Sequence, residues 1–183
     1  MSRIPLPQPE AAIGPLKDAF DAVRARYGAV PNGVRTLGVS PEALSGFLSF
    51  ATTVASGALM AGERERIAVL TAQHNRCGYC LSAHTLGARA AGVSDAEITA
   101  SRAAKSDDAR THAILAFANA VLMHRGGVGD DDLRAAQGAK LSNAELIEIV
   151  AEVALSTFTN YVNRLIEPDY DIPAVPVDQV SAL

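Results

Sequence analysis

The distribution of proline constrains the fold of this chain more than any other feature of its sequence. All nine prolines lie at positions 5, 7, 9, 15, 31, 41, 168, 173 and 176, so residues 42–167 contain none. Proline breaks helices because it lacks a backbone donor, and this proline-free interior is rich in alanine, leucine and glutamate. No segment alternates β-branched and polar residues as strands do. The sequence therefore predicts an all-α fold.

Recurrent start signals divide this interior into separate helices. Ser40 precedes Pro41-Glu42, and the pairs Ser94/Glu97 and Ser142/Glu145 have the spacing of capping boxes. Glycines at 92, 126, 127 and 129 mark connections between helices. We predict helices at about 10–27, 41–58, 62–75, 78–91, 95–104, 108–125, 130–137 and 143–166.

The length of 183 residues fits one compact multi-helix domain. We expect a helical core over residues 10–166, flanked by extended arms at 1–9 and 167–183 that lie on the surface of this subunit or of a neighbour. The segment 93–98 resembles 141–146, which suggests duplicated helical hairpins. Capping boxes and alanine-rich helices also resemble one another by composition alone, so both interpretations stand.

Charge and hydropathy exclude several classes of protein. The net charge of -4 provides no basic surface for nucleic acid or for an anionic membrane. No window holds the roughly 18 uninterrupted apolar residues of a membrane-spanning helix. The amino terminus is interrupted by prolines and lacks the apolar stretch of a signal peptide. We expect a cytoplasmic protein.

The two cysteines, Cys77 and Cys80, form a CxxC pair. Two cysteines in a reducing compartment do not build a stabilising disulfide framework, so the pair indicates redox chemistry or metal binding. If Cys77 begins a helix, both sulfurs lie in its first turn, where free backbone N–H groups and the helix dipole favour a thiolate. Residues three apart on a helix are neighbours, so the pair can close a disulfide and reopen to two thiols.

Two further residues are candidates for proton transfer to this pair. His84 follows Cys80 by one helical turn, a spacing at which imidazole can accept the Cys80 proton. Small residues at 87, 88 and 91 share that face and leave room beside the sulfurs. Glu65 shares the apolar face of the preceding helix, and a carboxylate is costly to bury unless it is paired. We expect Glu65 to lie behind His84 as a proton acceptor.

The series Glu65, eleven residues, Cys77-x-x-Cys80, three residues and His84 resembles the signature of alkyl hydroperoxidase D-like (AhpD-like) proteins, which belong to the carboxymuconolactone decarboxylase superfamily. The resemblance implies an AhpD-like all-helical fold, a homo-oligomer such as a trimer or hexamer, and peroxidase activity without a cofactor or metal. It implies that Cys80 attacks the peroxide and Cys77 resolves the sulfenic acid. Helix-terminus physics alone would favour Cys77 as the more acidic thiol, and the resemblance and His84 favour Cys80.

The functional hypothesis is a thiol-dependent peroxide reductase with catalytic residues Cys80, Cys77, His84 and Glu65. Its partners are a small peroxide and a dithiol, thioredoxin-like or lipoyl reductant. One departure from the family pattern is Tyr79, where the best-studied members carry histidine, so a proton relay through this position is in doubt. One alternative is a metal-holding or redox-responsive interaction protein, with Glu65 or His74 completing a metal site. Another is a decarboxylase-like lyase.

Polar residues outside the motif also need an interpretation. Asn160, Tyr161 and Asn163 follow an apolar run on the last predicted helix, where they could line a substrate pocket or an interface. Three other charged residues, Glu63, Arg64 and Arg66, suggest a solvated or intersubunit cluster of small energetic value.

Overall fold

The computed structural model describes residues 2–177, and within this range the fold is all-α, as predicted. A 3-10 turn at Pro9–Ala11 precedes the helices. The α-helices of the described range are α1 (Gly14–Tyr27), α2 (Asn32–Leu37), α3 (Pro41–Ala55), α4 (Ala61–His74), α5 (Gly78–Ala90), α6 (Asp95–Ser101), α7 (Ala109–His124), α8 (Asp130–Gly138) and α9 (Asn143–Ile166).

The eight predicted helices are all present, and the differences lie near the amino terminus. The first helix begins at Gly14 rather than at residue 10, because Gly14 has a φ of +56° and precedes Pro15, which disfavours helical backbone before it. The sequence reading missed α2, whose six residues follow Pro31 and are too short to show a helical period.

The two segments that suggested a duplication differ in their contacts. Ser142 and Glu145 close a complete capping box at the start of α9. At the start of α6, Ser94 caps Glu97, but the Glu97 carboxylate binds the Asp107 backbone and Ser106 instead of returning to Ser94. Their similarity therefore extends to the serine cap bond but not to the returning bond from the glutamate carboxylate.

Helix α4 lies at the centre of the molecule and packs against α5, α6, α7 and α9. Ile67 and Leu70 are fully buried in one core cluster with residues of α7 and α9. Val69 and Ala72, on another side of α4, are fully buried in a second cluster that contains both cysteines. Helix α4 thus joins the main core to the cysteine pair.

An ion-pair cluster links the amino-terminal ends of α4, α7 and α9. Arg110 of α7 donates to Glu63, at 2.8 Å, and to Glu145. Its hydrogen bond, together with those from Ser142, lowers the pKa of Glu145 to about 2. Glu63 is buried here, and Arg66 is buried against Glu97 and Ser101. The expectation of a solvated cluster at Glu63, Arg64 and Arg66 is wrong for Glu63 and Arg66, because each is buried and has a partner within the chain.

The carboxyl-terminal segment 168–177 contains no α-helix and lies on this chain, across α5 and α2. Val175 N donates to Ser82 Oγ at 2.8 Å, and Gln73 donates to the Val177 carbonyl at 2.6 Å. Near its start, the Asn32 amide donates to Asp171 at 2.8 Å. We call residues 168–177 the carboxyl-terminal arm. Met1 and residues 178–183 of the expected arms lie outside the described residues.

Between residues 2 and 177, no helix has the length and apolar character needed to cross a lipid bilayer.

Arg110→Met is expected to lower the free energy of unfolding by about 2 kcal/mol, because it leaves the carboxylates of Glu63 and Glu145 without their charge partner. This is less than the usual cost of breaking a buried pair, since the Arg110 side chain is 38% exposed. Urea unfolding measures the change. Arg134→Met, which breaks an exposed pair with Asp131, is the matched control and should cost less than about 1 kcal/mol. Equal losses in both variants would contradict the assignment.

Candidate active site

The site is built on the turn that joins α4 to α5. Arg76 adopts the left-handed conformation with a φ of +55°, and the Cys77 amide donates across it to the Ala72 carbonyl at 2.9 Å. This arrangement closes the end of α4 and allows Cys77 to become the N-cap of α5 directly. The two helices therefore meet across a turn of residues 75–77, and their facing sides are held close together.

The structure contains a disulfide between Cys77 and Cys80, whose Cα atoms lie 5.3 Å apart. Cys77 Sγ also accepts the Cys80 backbone amide at 3.3 Å, so its sulfur takes the place of an N-cap oxygen. The pair is at the start of α5, as the spacing predicts. Both residues are buried, with 2% and 3% of their surfaces exposed, so reagents reach the sulfurs only after some movement of the covering residues.

Glu65 and His84 form a hydrogen-bonded pair across the two helices. Glu65 Oε2 lies 2.9 Å from His84 Nδ1. Burial alone would lower the pKa of His84, but the Glu65 hydrogen bond and charge, with the charge of Glu152, raise it above its ordinary value. The Glu65 side chain is 31% exposed, less buried than predicted. The geometry brings the two predicted residues together one turn after Cys80.

Gly87 provides the space for this pair. A Cβ atom at Gly87 would lie 2.5–2.8 Å from the carboxyl atoms of Glu65, which is closer than real contacts allow. The small residue predicted for this face of α5 therefore accommodates the carboxylate. A larger side chain would push Glu65 away from His84.

Glu152 of α9 belongs to the same electrostatic group and was missed by the sequence analysis. It is 7% exposed, and burial raises its pKa to about 7, with Glu65 adding to the rise and with His84 and Arg64 opposing it. A carboxylate inside an apolar run was the signal that identified Glu65, and it applied equally to Glu152. Two carboxylates thus share the surroundings of one imidazole.

The polar residues of α9 divide between two faces. Asn163 is buried and its Nδ2 lies 3.4 Å from Cys80 Sγ. Asn160 is fully buried, accepts a hydrogen bond from Asn75, and has no partner for its own Nδ2. Tyr161 is 60% exposed on the opposite side. Of the three residues proposed to line a pocket, only Asn163 contacts a cysteine sulfur.

The carboxyl-terminal arm covers the amino-terminal end of α5. The Tyr79 hydroxyl donates to Asp171 at 2.7 Å, and the rings of Tyr79 and Tyr170 are 5.7 Å apart. Burial raises the pKa of Tyr79, and the bond to Asp171 adds to the rise. Val175 and Val177 pack against the cluster that contains both cysteines. Tyr79 therefore anchors the arm. Its position in the motif had raised the question of a role in a proton relay, and the structure gives its hydroxyl this contact instead.

The arrangement gives little support to the metal-holding alternative. Across residues 2–177, no group of three or more His, Cys, Asp or Glu side chains is placed to hold a metal ion. The two sulfurs are bonded to each other, and His74 lies exposed in a separate hollow of about 610 Å³ beside Tyr161. His74 therefore does not join Glu65 and His84.

Comparisons with known proteins agree with this geometry. Residues 41–123 match the model of the carboxymuconolactone decarboxylase family. A solved structure of an uncharacterized peroxidase-related protein with an alkylhydroperoxidase AhpD core, from Ralstonia eutropha JMP134, has 27% identity and a TM-score of 0.83 and covers 92% of both chains. No curated protein sequence is significantly similar to this chain.

Two other solved structures have the same fold at lower identity. An uncharacterized peroxidase-related protein from Silicibacter sp. TM1040 has 21% identity, a TM-score of 0.79 and coverage of 92% of this chain and 91% of its own. A variant of the debrominase Bmp8, in complex with 2,3,4-tribromopyrrole, has 21% identity, a TM-score of 0.77 and coverage of 92% and 93%.

Glu152→Gln is expected to change how stability depends on pH. The folded state keeps a proton on Glu152 between the ordinary carboxyl pKa of 4.5 and about 7, so the free energy of unfolding falls as pH rises through this range. The decrease in the free energy of unfolding that Glu152 causes over this pH range is on the order of 3 kcal/mol. Urea unfolding at several pH values, wild type minus variant, measures it. The exposed Glu10→Gln serves as control, and a difference independent of pH would refute the assignment.

Tyr79→Phe is expected to loosen the arm, because it removes the hydrogen bond to Asp171. Asp171 is exposed to water, so the hydrogen bond contributes only modestly. We expect a protein-sized dithiol to reduce the buried disulfide about fivefold faster in the variant than in wild type. The rate with a small dithiol should increase less. Stopped-flow mixing with each reductant measures both rates. The exposed Tyr161→Phe is the matched control. Unchanged rates in Tyr79→Phe would show that the arm does not limit access.

Proposed function

Because residues 41–123 match the carboxymuconolactone decarboxylase family and the chain shares the fold of a protein with an AhpD core, we propose that it is a thiol-dependent peroxidase. Enzymes are the rule in this family. The observation that carries the proposal is the Cys77–Cys80 disulfide, which stands one turn before the hydrogen-bonded Glu65–His84 pair. The oxidisable sulfur of Cys80 thus lies one helical turn from His84, which can carry a proton.

The proposed reaction begins from the reduced pair. The Cys80 thiolate, formed by transfer of its proton to His84, attacks the outer oxygen of a hydroperoxide and breaks the O–O bond. Cys80 becomes a sulfenic acid, and the departing alkoxide takes a proton from His84 to leave as an alcohol. Glu65 accepts a hydrogen bond from Nδ1, which stabilises the charged imidazole that exists between these two transfers.

The second half of the reaction restores the thiols. Cys77 attacks the sulfenic sulfur of Cys80, the disulfide forms and water leaves. The disulfide present in the structure corresponds to this oxidised product. A dithiol, thioredoxin-like or lipoyl reductant then transfers two electrons and two protons by thiol–disulfide exchange. We place this cycle in the cytoplasm, where such reductants keep thiols reduced.

The alternatives make different predictions. A decarboxylase-like lyase would retain its activity after the thiols are alkylated. A redox-responsive interaction protein would change its assembly with oxidation without consuming peroxide. The likeness to the debrominase Bmp8 rests on 21% identity, so it concerns the fold and leaves the choice of substrate to experiment.

Peroxide consumption with excess dithiol is expected to stop in Cys80→Ser, because the attacking sulfur is absent. Cys77→Ser should turn over more slowly, since the dithiol must then reduce the Cys80 sulfenic acid without the resolving thiol. His74→Asn, an exposed histidine near the end of α4, is the control and should keep wild-type turnover. Multiple turnovers by Cys80→Ser would contradict the roles assigned to the two cysteines.

We also propose that the chain assembles with copies of itself. The outer face of α9 carries large apolar residues at helical spacing, with 70% of Ile147, 60% of Tyr161 and 62% of Leu165 exposed. Hollows of about 270 and 610 Å³ flank this face and share Ala154 and Phe158. A second copy would cover an apolar surface that monomers rarely expose, and the family resemblance favours a trimer or hexamer.

Tyr161→Glu is expected to break this assembly, because it places a charge in the middle of the apolar face. Light scattering coupled to gel filtration measures the mass of wild type and variant. Ile13→Glu, which alters an apolar residue 83% exposed before α1, is the control and should leave the mass unchanged. A monomeric wild type would overturn the proposed assembly without affecting the proposed chemistry.

A further inference from the structure

Asn163 of α9 contacts the sulfur of Cys80. Its Nδ2 lies 3.4 Å from Cys80 Sγ, and the asparagine is 6% exposed. The Thr159 carbonyl, also on α9, lies 3.9 Å from the same sulfur. A buried amide on this sulfur is a specific arrangement, because buried polar groups cost free energy unless they are paired.

Thr36 fixes the orientation of this amide. Thr36 is 2% exposed on α2, and its hydroxyl lies 2.7 Å from Asn163 Oδ1 and 2.7 Å from the Gly33 carbonyl oxygen. The hydroxyl has one proton for these two acceptors, and when it donates to Oδ1 the amide oxygen is held on the α2 side. Because the two polar atoms of an amide diverge, Nδ2 then points to Cys80.

The strength of this contact depends on the oxidation state of the sulfur. A disulfide sulfur is a weak acceptor, whereas a thiolate carries a full negative charge and forms a charge-assisted hydrogen bond. The contact therefore gains strength when the pair is reduced. It stabilises the thiolate more than the thiol or the disulfide.

We propose that Asn163 is a catalytic residue that holds the Cys80 thiolate, and that Thr36 is the positioning residue that aims its amide. The inference rests on the proposed function only in taking Cys80 as the attacking sulfur. Cys77 Sγ also accepts an amide, the Cys80 backbone N–H at 3.3 Å, so the proposal concerns the pKa of Cys80 itself and not its rank against Cys77.

The charged groups near the cysteines explain why a neutral hydrogen-bond donor to Cys80 matters. The titratable or charged groups around the cysteine pair come from four elements: Arg64 and Glu65 on α4, Tyr79 and His84 on α5, Glu152 on α9, and Tyr170 and Asp171 in the arm. Negative carboxylates in this set raise a thiol pKa. An amide lowers it without adding a charge that would have to be buried.

The first test is a pH titration of the thiolate ultraviolet absorbance in reduced protein that carries Cys77→Ser, so that Cys80 is the only thiol. Asn163→Ala should raise the Cys80 pKa by about one unit, and Asn163→Asp should raise it further because a carboxylate repels the thiolate. Asn143→Ala, an exposed asparagine in the first turn of α9, is the matched control and should leave the pKa unchanged.

Thr36 is tested by its own pair of variants, which retain the buried amide. Thr36→Val should raise the Cys80 pKa by part of the Asn163→Ala effect, and Thr36→Ser should restore the wild-type value because it keeps the hydroxyl. A pKa that is unchanged in both Asn163→Ala and Thr36→Val overturns the proposal. A rise in Asn163→Ala alone overturns the role of Thr36.

The second test is the reduction potential of the Cys77–Cys80 pair in protein with both cysteines. At a pH above both thiol pKa values, Asn163→Ala should lower the potential by about 30 mV for each unit of pKa change, and at a pH below both it should not change it. A purely structural defect would shift the potential equally at both pH values. Neither test uses a peroxide, so an absence of peroxide turnover would defeat the proposed function while leaving these outcomes to decide the role of Asn163.

Discussion

The Cys77 amide donates to the Ala72 carbonyl across the left-handed residue Arg76, and this hydrogen bond ends α4 at the point where α5 begins. Because only residues 75–77 separate the helices, Cys77 caps α5 and the sulfur of Cys80 lies in its first turn. The same close packing brings Glu65 of α4 within 2.9 Å of His84 of α5. One backbone turn thus places both the cysteine pair and the Glu65–His84 pair beside it.

Sequence analysis predicted the parts of the site that depend on local spacing. The CxxC pair, the histidine one turn later and the carboxylate on the preceding helix all follow from helical periodicity along a single stretch. Residues brought in by packing could not be placed in this way. Thr36 and Asn163 are 127 positions apart, and α2 was too short to be recognised as a helix. Glu152 was overlooked although its apolar neighbours gave the same signal that had identified Glu65.

The site combines negative charge with restricted access. Glu65 and Glu152 lie near one imidazole, which favours its protonated form, and both cysteines are covered by α9 and by the carboxyl-terminal arm. Carboxylates disfavour a thiolate, so the helix start and the Asn163 amide have to compensate for them. The arm, held by Tyr79 and Ser82, packs over the cluster that contains both sulfurs. In the proposed mechanism, reactivity and access are therefore controlled by different parts of the chain.

The central claim is that Cys80 is the sulfur that attacks peroxide. Two reduced variants, Cys77→Ser and Cys80→Ser, each retain one thiol and can be mixed with an equimolar amount of hydrogen peroxide and a trap for sulfenic acid. Mass spectrometry of the peptides then identifies the oxidised residue. We predict rapid trapping on Cys80 in Cys77→Ser and little on Cys77 in Cys80→Ser. The reverse pattern, or no trapping in either variant, would contradict the account.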